Sequence, residues 1–116
     1  MKDLKVLFHV SDNEVWPKAL LNITNFLKDV GQNGAEVEVV ANAGAVMAYY
    51  PPEEKKEQLE QMAKLSHMGV KFTACRNALN AHSLDESQRP GFVEVVPGGI
   101  TEVVKKQTEG FIYIKP

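Results

Sequence analysis

Cysteine is nearly absent: Cys75 stands alone among 116 residues, so no internal disulfide can form. Without a CxxC pair or an HxxxH spacing beside it, structural zinc is excluded, barring a site shared between subunits, and no metal is expected. Long apolar runs are lacking too. Nothing approaches the ~18 to 20 residues that span a bilayer, and the start MKDLKVLFHV puts Asp3 and Lys5 where a signal peptide needs an unbroken apolar segment. The expectation is a cytoplasmic protein with no membrane partner. Charge of one sign is also missing. Thirteen Lys and Arg against fifteen Asp and Glu leave a formal net charge of -2, with no basic block to neutralise a row of phosphates, which argues against nucleic acid. Neither G-x-G-x-x-G nor G-x-x-x-x-G-K-[ST] occurs, so a dinucleotide or P-loop nucleotide site has no support and no cofactor is expected.

The composition that remains is that of one ordinary globular domain spanning residues 1–116. Leu4 to Val10 (LKVLFHV) is a short, mostly apolar run that suits a strand buried on both faces. From Val15 to Val30, apolar residues recur at Trp16, Ala19, Leu20, Ile23, Phe26, Leu27 and Val30, the spacing of one helical face. Ser11, Asp12 and Asn13 are candidate caps, Pro17 fits the first turn, and Gly31 and Gly34 stop the helix. Ala35 to Ala41 alternates and then turns apolar, as a strand with one partly exposed face does. A second helix runs from the turn at Pro52 to His67, with Leu59, Met62 and Ala63 inward and the run EEKKEQLEQ as its solvated face.

Val70 to Cys75 reads as a third strand, Arg76 to His82 as a short helix, Val93 to Val96 as a fourth strand, Ile100 to Thr108 as a helix and Phe111 to Ile114 as the last strand. Strands separated by helices of this length call for a parallel sheet with helices on both faces, and ligands of such sheets bind outside the carboxyl ends of the strands.

Cys75 closes a strand and opens a helix, so its sulfur lies near unpaired backbone N–H groups, with Arg76 next in sequence; that position favours the thiolate. The plainer reading is a small buried hydrophobe. His9, near the carboxyl end of the first strand, is a candidate base or hydrogen-bond donor for Cys75, or else a core histidine. His67 and His82 fall near helix ends and suit surface or dipole-complementing roles. Asn42 and Asn77 sit where their amides can hold an anionic group or cap a turn. Gly98 and Gly99 before a helix resemble a minimal anion-binding turn, a role that competes with a plain turn requirement.

The segments VKFTACRNAL and GFVEVVPGGITEVVKKQTEGFIYIKP, with FHVSDNEVWPKALLNITNFLKD and EVEVVANAGAV, resemble the DsrE/DsrF-like family nearly end to end. The most specific parts are F-x-A-C-x-N, here Phe72, Ala74, Cys75 and Asn77, and the closing KKQTEGFIYIKP. The resemblance implies a three-layer α/β/α fold, flavodoxin-like in appearance, on a five-stranded parallel sheet of order 4-3-2-1-5, and assembly into homotrimers or hexamers. It also implies sulfur oxidation or sulfur relay, with the cysteine equivalent to Cys75 carrying a persulfide between a sulfur donor and an acceptor protein. Cys75, Asn77 and His9 carry over as site candidates. Asn42 carries over by position only, because single-chain relatives often have His there.

Two functional readings follow. One is a sulfur carrier or sulfurtransferase-like protein holding a persulfide on Cys75. The other is a non-enzymatic homo-oligomeric binding module for a small anionic or nucleotide-like ligand. Val46, Met47, Tyr49 and Tyr50 form an apolar stretch outside the periodic elements, suited either to a subunit interface or to capping the domain's own core.

Overall fold

The computed structural model describes residues 4–31 and 33–116; the chain start with Asp3, read above against a signal peptide, lies outside them. Its strands are β1 (Leu4–Val10), β2 (Ala35–Ala41), β3 (Lys71–Cys75), β4 (Val93–Val96) and β5 (Ile112–Ile114), and its helices are α1 (Trp16–Val30), α2 (Lys56–His67), α3 (Arg76–Ala81) and α4 (Gly99–Thr108). The strands form one sheet of order β4-β3-β2-β1-β5 with every neighbouring pair parallel, as expected. The central β1–β2 ladder runs unbroken from Leu4 against Ala35 to Val10 against Ala41.

Parallel pairing demands crossovers, and the helices that make them cover the two faces unequally. Alternate residues Val6, Phe8, Val37, Val39, Phe72 and Val93 pack with Trp16, Leu20 and Ile23 of α1, Met62 and Leu65 of α2 and Leu79 of α3 in the main core. Among the described residues the other face is covered by α4, through Val103 against Leu7, Val40 and Phe111. Leu7, His9, Glu38, Val40, Thr73 and Tyr113 share the α4 face by strand alternation and register.

Several expectations shift by a residue or a turn. α1 is preceded by a 3-10 turn at Asn13–Val15, whose start Asp12 caps by accepting the Glu14 N–H at 3.0 Å. α2 begins at Lys56 after a 3-10 turn that Pro52 introduces, and its buried residues are Met62 and Leu65, with Leu59 and Ala63 half-buried. The apolar stretch near Tyr49 is a 3-10 segment, Ala43–Tyr49, folded onto the molecule's own core. The Trp16 indole N–H donates to the Ala45 carbonyl at 2.9 Å, and the Tyr49 hydroxyl donates to the Thr73 carbonyl at 3.0 Å. Each bond gives a buried polar group its partner, which a segment under the helices requires. Of that stretch Ala43 and Met47 are exposed. On β2, Glu36 is exposed but Glu38 is only 2% exposed, so the face read as partly exposed is covered at Glu38.

Candidate functional site

Three adjacent strands end together at the carboxyl edge. Ala41 closes β2 opposite Ala74, and Cys75 closes β3 opposite Val96. The segments that leave these ends surround an open cleft of about 320 Å³ lined by Asn42, Cys75, Asn77, Gly98, Gly99 and Thr101 among others. A larger hollow of about 450 Å³ lies against Met47, Pro51, Pro52 and Lys55 and contains none of the candidate side chains. The chemistry-bearing residues collect at the smaller one.

Cys75 is the cap residue of α3 and is 6% exposed, its surface turned to the cleft wall. Across it stands the N-terminus of α4. Gly99 is buried there, and a Cβ on it would come 2.8 Å from Asn42 Cβ and 3.3 Å from Cys75 Cβ. Close backbone approach, rather than an unusual backbone angle, therefore explains this glycine. Gly98 caps α4 with extended geometry. Helix ends of this kind leave N–H groups without intrahelical partners, and those of α3 and α4 converge on the cleft.

Asn42 is oriented by a half-buried polar chain. Its amide oxygen accepts from the Ser11 hydroxyl at 2.7 Å and lies 3.1 Å from His9 Nε2. His9 Nδ1 lies 2.7 Å from the Tyr113 hydroxyl. An amide oxygen can only accept, so His9 carries its proton on Nε2 and the Tyr113 hydroxyl donates to Nδ1. With its oxygen engaged, Asn42 is left with its amide N–H groups as donors for the cleft. Burial lowers the pKa of His9, the hydrogen bond to Asn42 opposes that shift, and the Lys115 charge adds to it. The neutral ring fits the tautomer that the bonds dictate.

Both ring nitrogens of His9 are thus engaged, by Tyr113 and Asn42 rather than by Cys75. Arg76 is exposed and forms a two-pronged pair with Glu86, at 2.9 Å from Nε to Oε1 and 3.1 Å from Nη2 to Oε2. Its charge is spent on that carboxylate rather than presented to the cleft. His67 and His82 lie exposed at the ends of α2 and α3 and do not line the cleft. As site residues, Ser11, read from the sequence as a candidate cap, and Thr101 and Tyr113 escaped the sequence reading. Tyr113 was within reach of it: strand alternation puts His9 and Leu7 on one face, and a parallel β5 sets Tyr113 beside Leu7. Among the described residues no group of three or more His, Cys, Asp or Glu could hold a metal ion, and no helix is long and apolar enough to cross a membrane.

The family model described as the DsrE/DsrF-like family matches residues 18–116. The chain belongs to the DsrE/DsrF-like family. Membership of this family implies, in general terms, a role related to sulfur relay. A similar solved structure is that of the protein of unknown function MTH1491 from Methanobacterium thermoautotrophicum. It is 30% identical, with a TM-score of 0.86, over 98% of this chain and 100% of that one. The ychN protein from E. coli, 14% identical with a TM-score of 0.76 over 97% and 99% of the two chains, shares the fold. A search of curated proteins found no match.

Proposed function

We propose that this member of the DsrE/DsrF-like family is a sulfur carrier, sulfurtransferase-like in its chemistry, with Cys75 as the carrying residue. The observation that supports it is the setting of that thiol. It borders an open cleft at the carboxyl edge of the sheet, faced by two helix N-termini and by the amides of Asn42 and Asn77. Such donors suit the anion formed when sulfur is held as Cys–S–S⁻. The Cys75 thiolate attacks the outer sulfur of a donor persulfide, R–S–SH. A new sulfur–sulfur bond forms at Cys75 as the donor's breaks, leaving R–S⁻. An acceptor thiolate then removes the sulfur by the same exchange, so no net oxidant or reductant is consumed.

In this reading Asn42 and Asn77 hold the terminal sulfur, Gly98 and Gly99 present backbone N–H groups to it, and His9 orients Asn42. The reading includes a cytoplasmic setting, self-association as a trimer or hexamer, and separate donor and acceptor proteins. Light scattering on the eluting protein at micromolar concentration checks the assembly, and a monomer there removes that part.

The deciding experiment loads the protein with a sulfane-sulfur donor and reads intact mass. A gain of one sulfur that is absent in Cys75→Ser is the expected result. No gain under conditions that load an established carrier counts against it. The donors around the cleft also suit a small anion bound without covalent chemistry. Anion binding that survives Cys75→Ser, with no sulfur gained by the native chain, favours that binding module.

A further inference from the structure

Glu38 lies at the middle of β2 on the face that α4 covers, 2% exposed, and its Oε2 is buried without a hydrogen-bond partner. Its other oxygen, Oε1, stands 3.8 Å from Lys71 Nζ of β3 and 3.6 Å from Lys106 Nζ of α4. Both contacts are longer than hydrogen bonds, and both ammonium groups have closer carboxylates, Glu94 at 3.0 Å for Lys71 and Glu109 at 3.4 Å for Lys106. From α4 a second carboxyl, that of Glu102, reaches the Glu38 side chain, and it too is buried, at 9% exposure. From β1 the register neighbour is Leu7, which offers no charge.

Two carboxylates facing each other present only acceptors. An ionised pair therefore leaves the buried oxygen orphaned and sets like charges together in a poorly solvated place. One proton removes both problems: the protonated carboxyl donates to its neighbour, and the pair keeps a single charge for the two lysines. We propose that the Glu38 carboxyl holds a proton that it donates to Glu102, and that this proton latches α4 onto the sheet. Its loss would then unseat the end of α4 that walls the Cys75 cleft. The mechanical link is short. Glu102 donates its backbone N–H to the Gly98 carbonyl at 3.0 Å, and Gly99 is the residue pressed against Asn42 and Cys75. Burial, and then the Glu102 hydrogen bond and charge, push the Glu38 carboxyl up to about 8, which puts the release just above neutrality. This latch is independent of what Cys75 carries.

The test follows the side-chain carboxyl resonances and the backbone carbons of Gly98 and Gly99 by NMR in the full-length protein, from about pH 5 to about pH 10. Glu38 should titrate far above the exposed glutamates, and Gly98 and Gly99 should shift with the same midpoint. Glu38→Gln should abolish both movements, whereas Glu36→Gln, on the same strand but exposed, should leave them in place. Glu102→Gln gives Glu38 a neutral amide donor and should lower its midpoint. A Glu38 carboxyl that titrates together with the exposed glutamates overturns the proton held on Glu38. A Glu38 titration that Gly98 and Gly99 do not follow overturns the latch. The native protein alone decides both points, even if a variant fails to fold.

Discussion

Gly99 approaches Cys75 so closely that a methyl group on it would come 3.3 Å from the cysteine Cβ and 2.8 Å from that of Asn42. Neither atom is the free end of a flexible chain, so one wall of the cleft must move to admit it. We expect Gly99→Ala to cost about 1 to 3 kcal/mol, as overpacking does. It should also change the rate at which iodoacetamide reaches Cys75. Gly91, with nothing within 4 Å of its would-be Cβ, is the control, and Gly91→Ala should stay within about 0.5 kcal/mol. Equal denaturation midpoints for the two variants would show that Gly99 is a turn residue and nothing more.

The chain Tyr113–His9–Asn42 makes stability depend on acidity in a defined sense. Burial lowers the pKa of His9, so the unfolded chain takes up a proton more readily than the folded one. The contribution of His9 is complete above its unfolded value near 6.5 and is lost as pH falls below it. Glu38 acts in the opposite sense. Its folded value of about 8 exceeds the ordinary 4.5, so its contribution is complete below that lower value and is lost as pH rises through the upper one. Urea melts at about pH 5.5 and about pH 7.5 separate the two. His9→Gln should remove the loss on acidification, and Glu38→Gln the loss on raising pH. Tyr113→Phe, which deletes one hydrogen bond, should cost about 0.5 to 1.5 kcal/mol.

How much of this was legible in the sequence depended on whether the signal was local. The α1 stripe and the short apolar strands repeat with the period of the structure they form, so the sheet order and the crossovers followed from pattern and resemblance. Cys75, Asn42, Asn77 and the glycines could be set at one edge because each ends a strand or opens a helix. The burial of Glu38 had no local mark: an alternating Glu reads as solvent-facing, and it is α4, some sixty residues on, that covers it. The partner of Arg76 was hidden in the same way, since Glu86 lies in a separate polar turn that only the fold brings to it. The apolar stretch around Tyr49 read as lying outside the periodic elements because a 3-10 segment has neither the helical nor the strand period. Its role became visible only with Trp16 and Tyr49 in place.

Ala43 follows Asn42 into the cleft wall with a φ of 47°, in the left-handed region that L side chains avoid. That conformation costs a residue with a Cβ about 1 to 2 kcal/mol. Replacement by glycine relieves the cost and loosens the unfolded chain by about 0.4 to 1 kcal/mol. Relief is the larger effect, so Ala43→Gly should be mildly stabilising. Ala48→Gly in the same segment removes a buried methyl with no strain to relieve and should destabilise. Denaturant midpoints moving in the same direction for both would contradict the strain account of Ala43.

Arg76 is the cation nearest Cys75 in sequence, yet its guanidinium grips Glu86 with both prongs. The bond to Glu86 holds the guanidinium pKa above its ordinary value, and the bond to Arg76 holds the Glu86 carboxyl below its own. In an exposed pair of this kind each charge is screened by its partner and by water. We therefore expect Arg76→Gln to leave the rates at which iodoacetate and iodoacetamide reach Cys75 as they are in the native protein. Glu86→Gln frees the cation, which can then swing toward the end of β3 and speed the reaction with an anionic reagent such as iodoacetate more than with neutral iodoacetamide. The comparison of the two reagents decides the matter, because a cation already acting on the cleft would show its effect in the native chain and lose it in Arg76→Gln. A drop in iodoacetate reactivity in that variant, with iodoacetamide unchanged, would mean that Arg76 reaches the thiol despite Glu86.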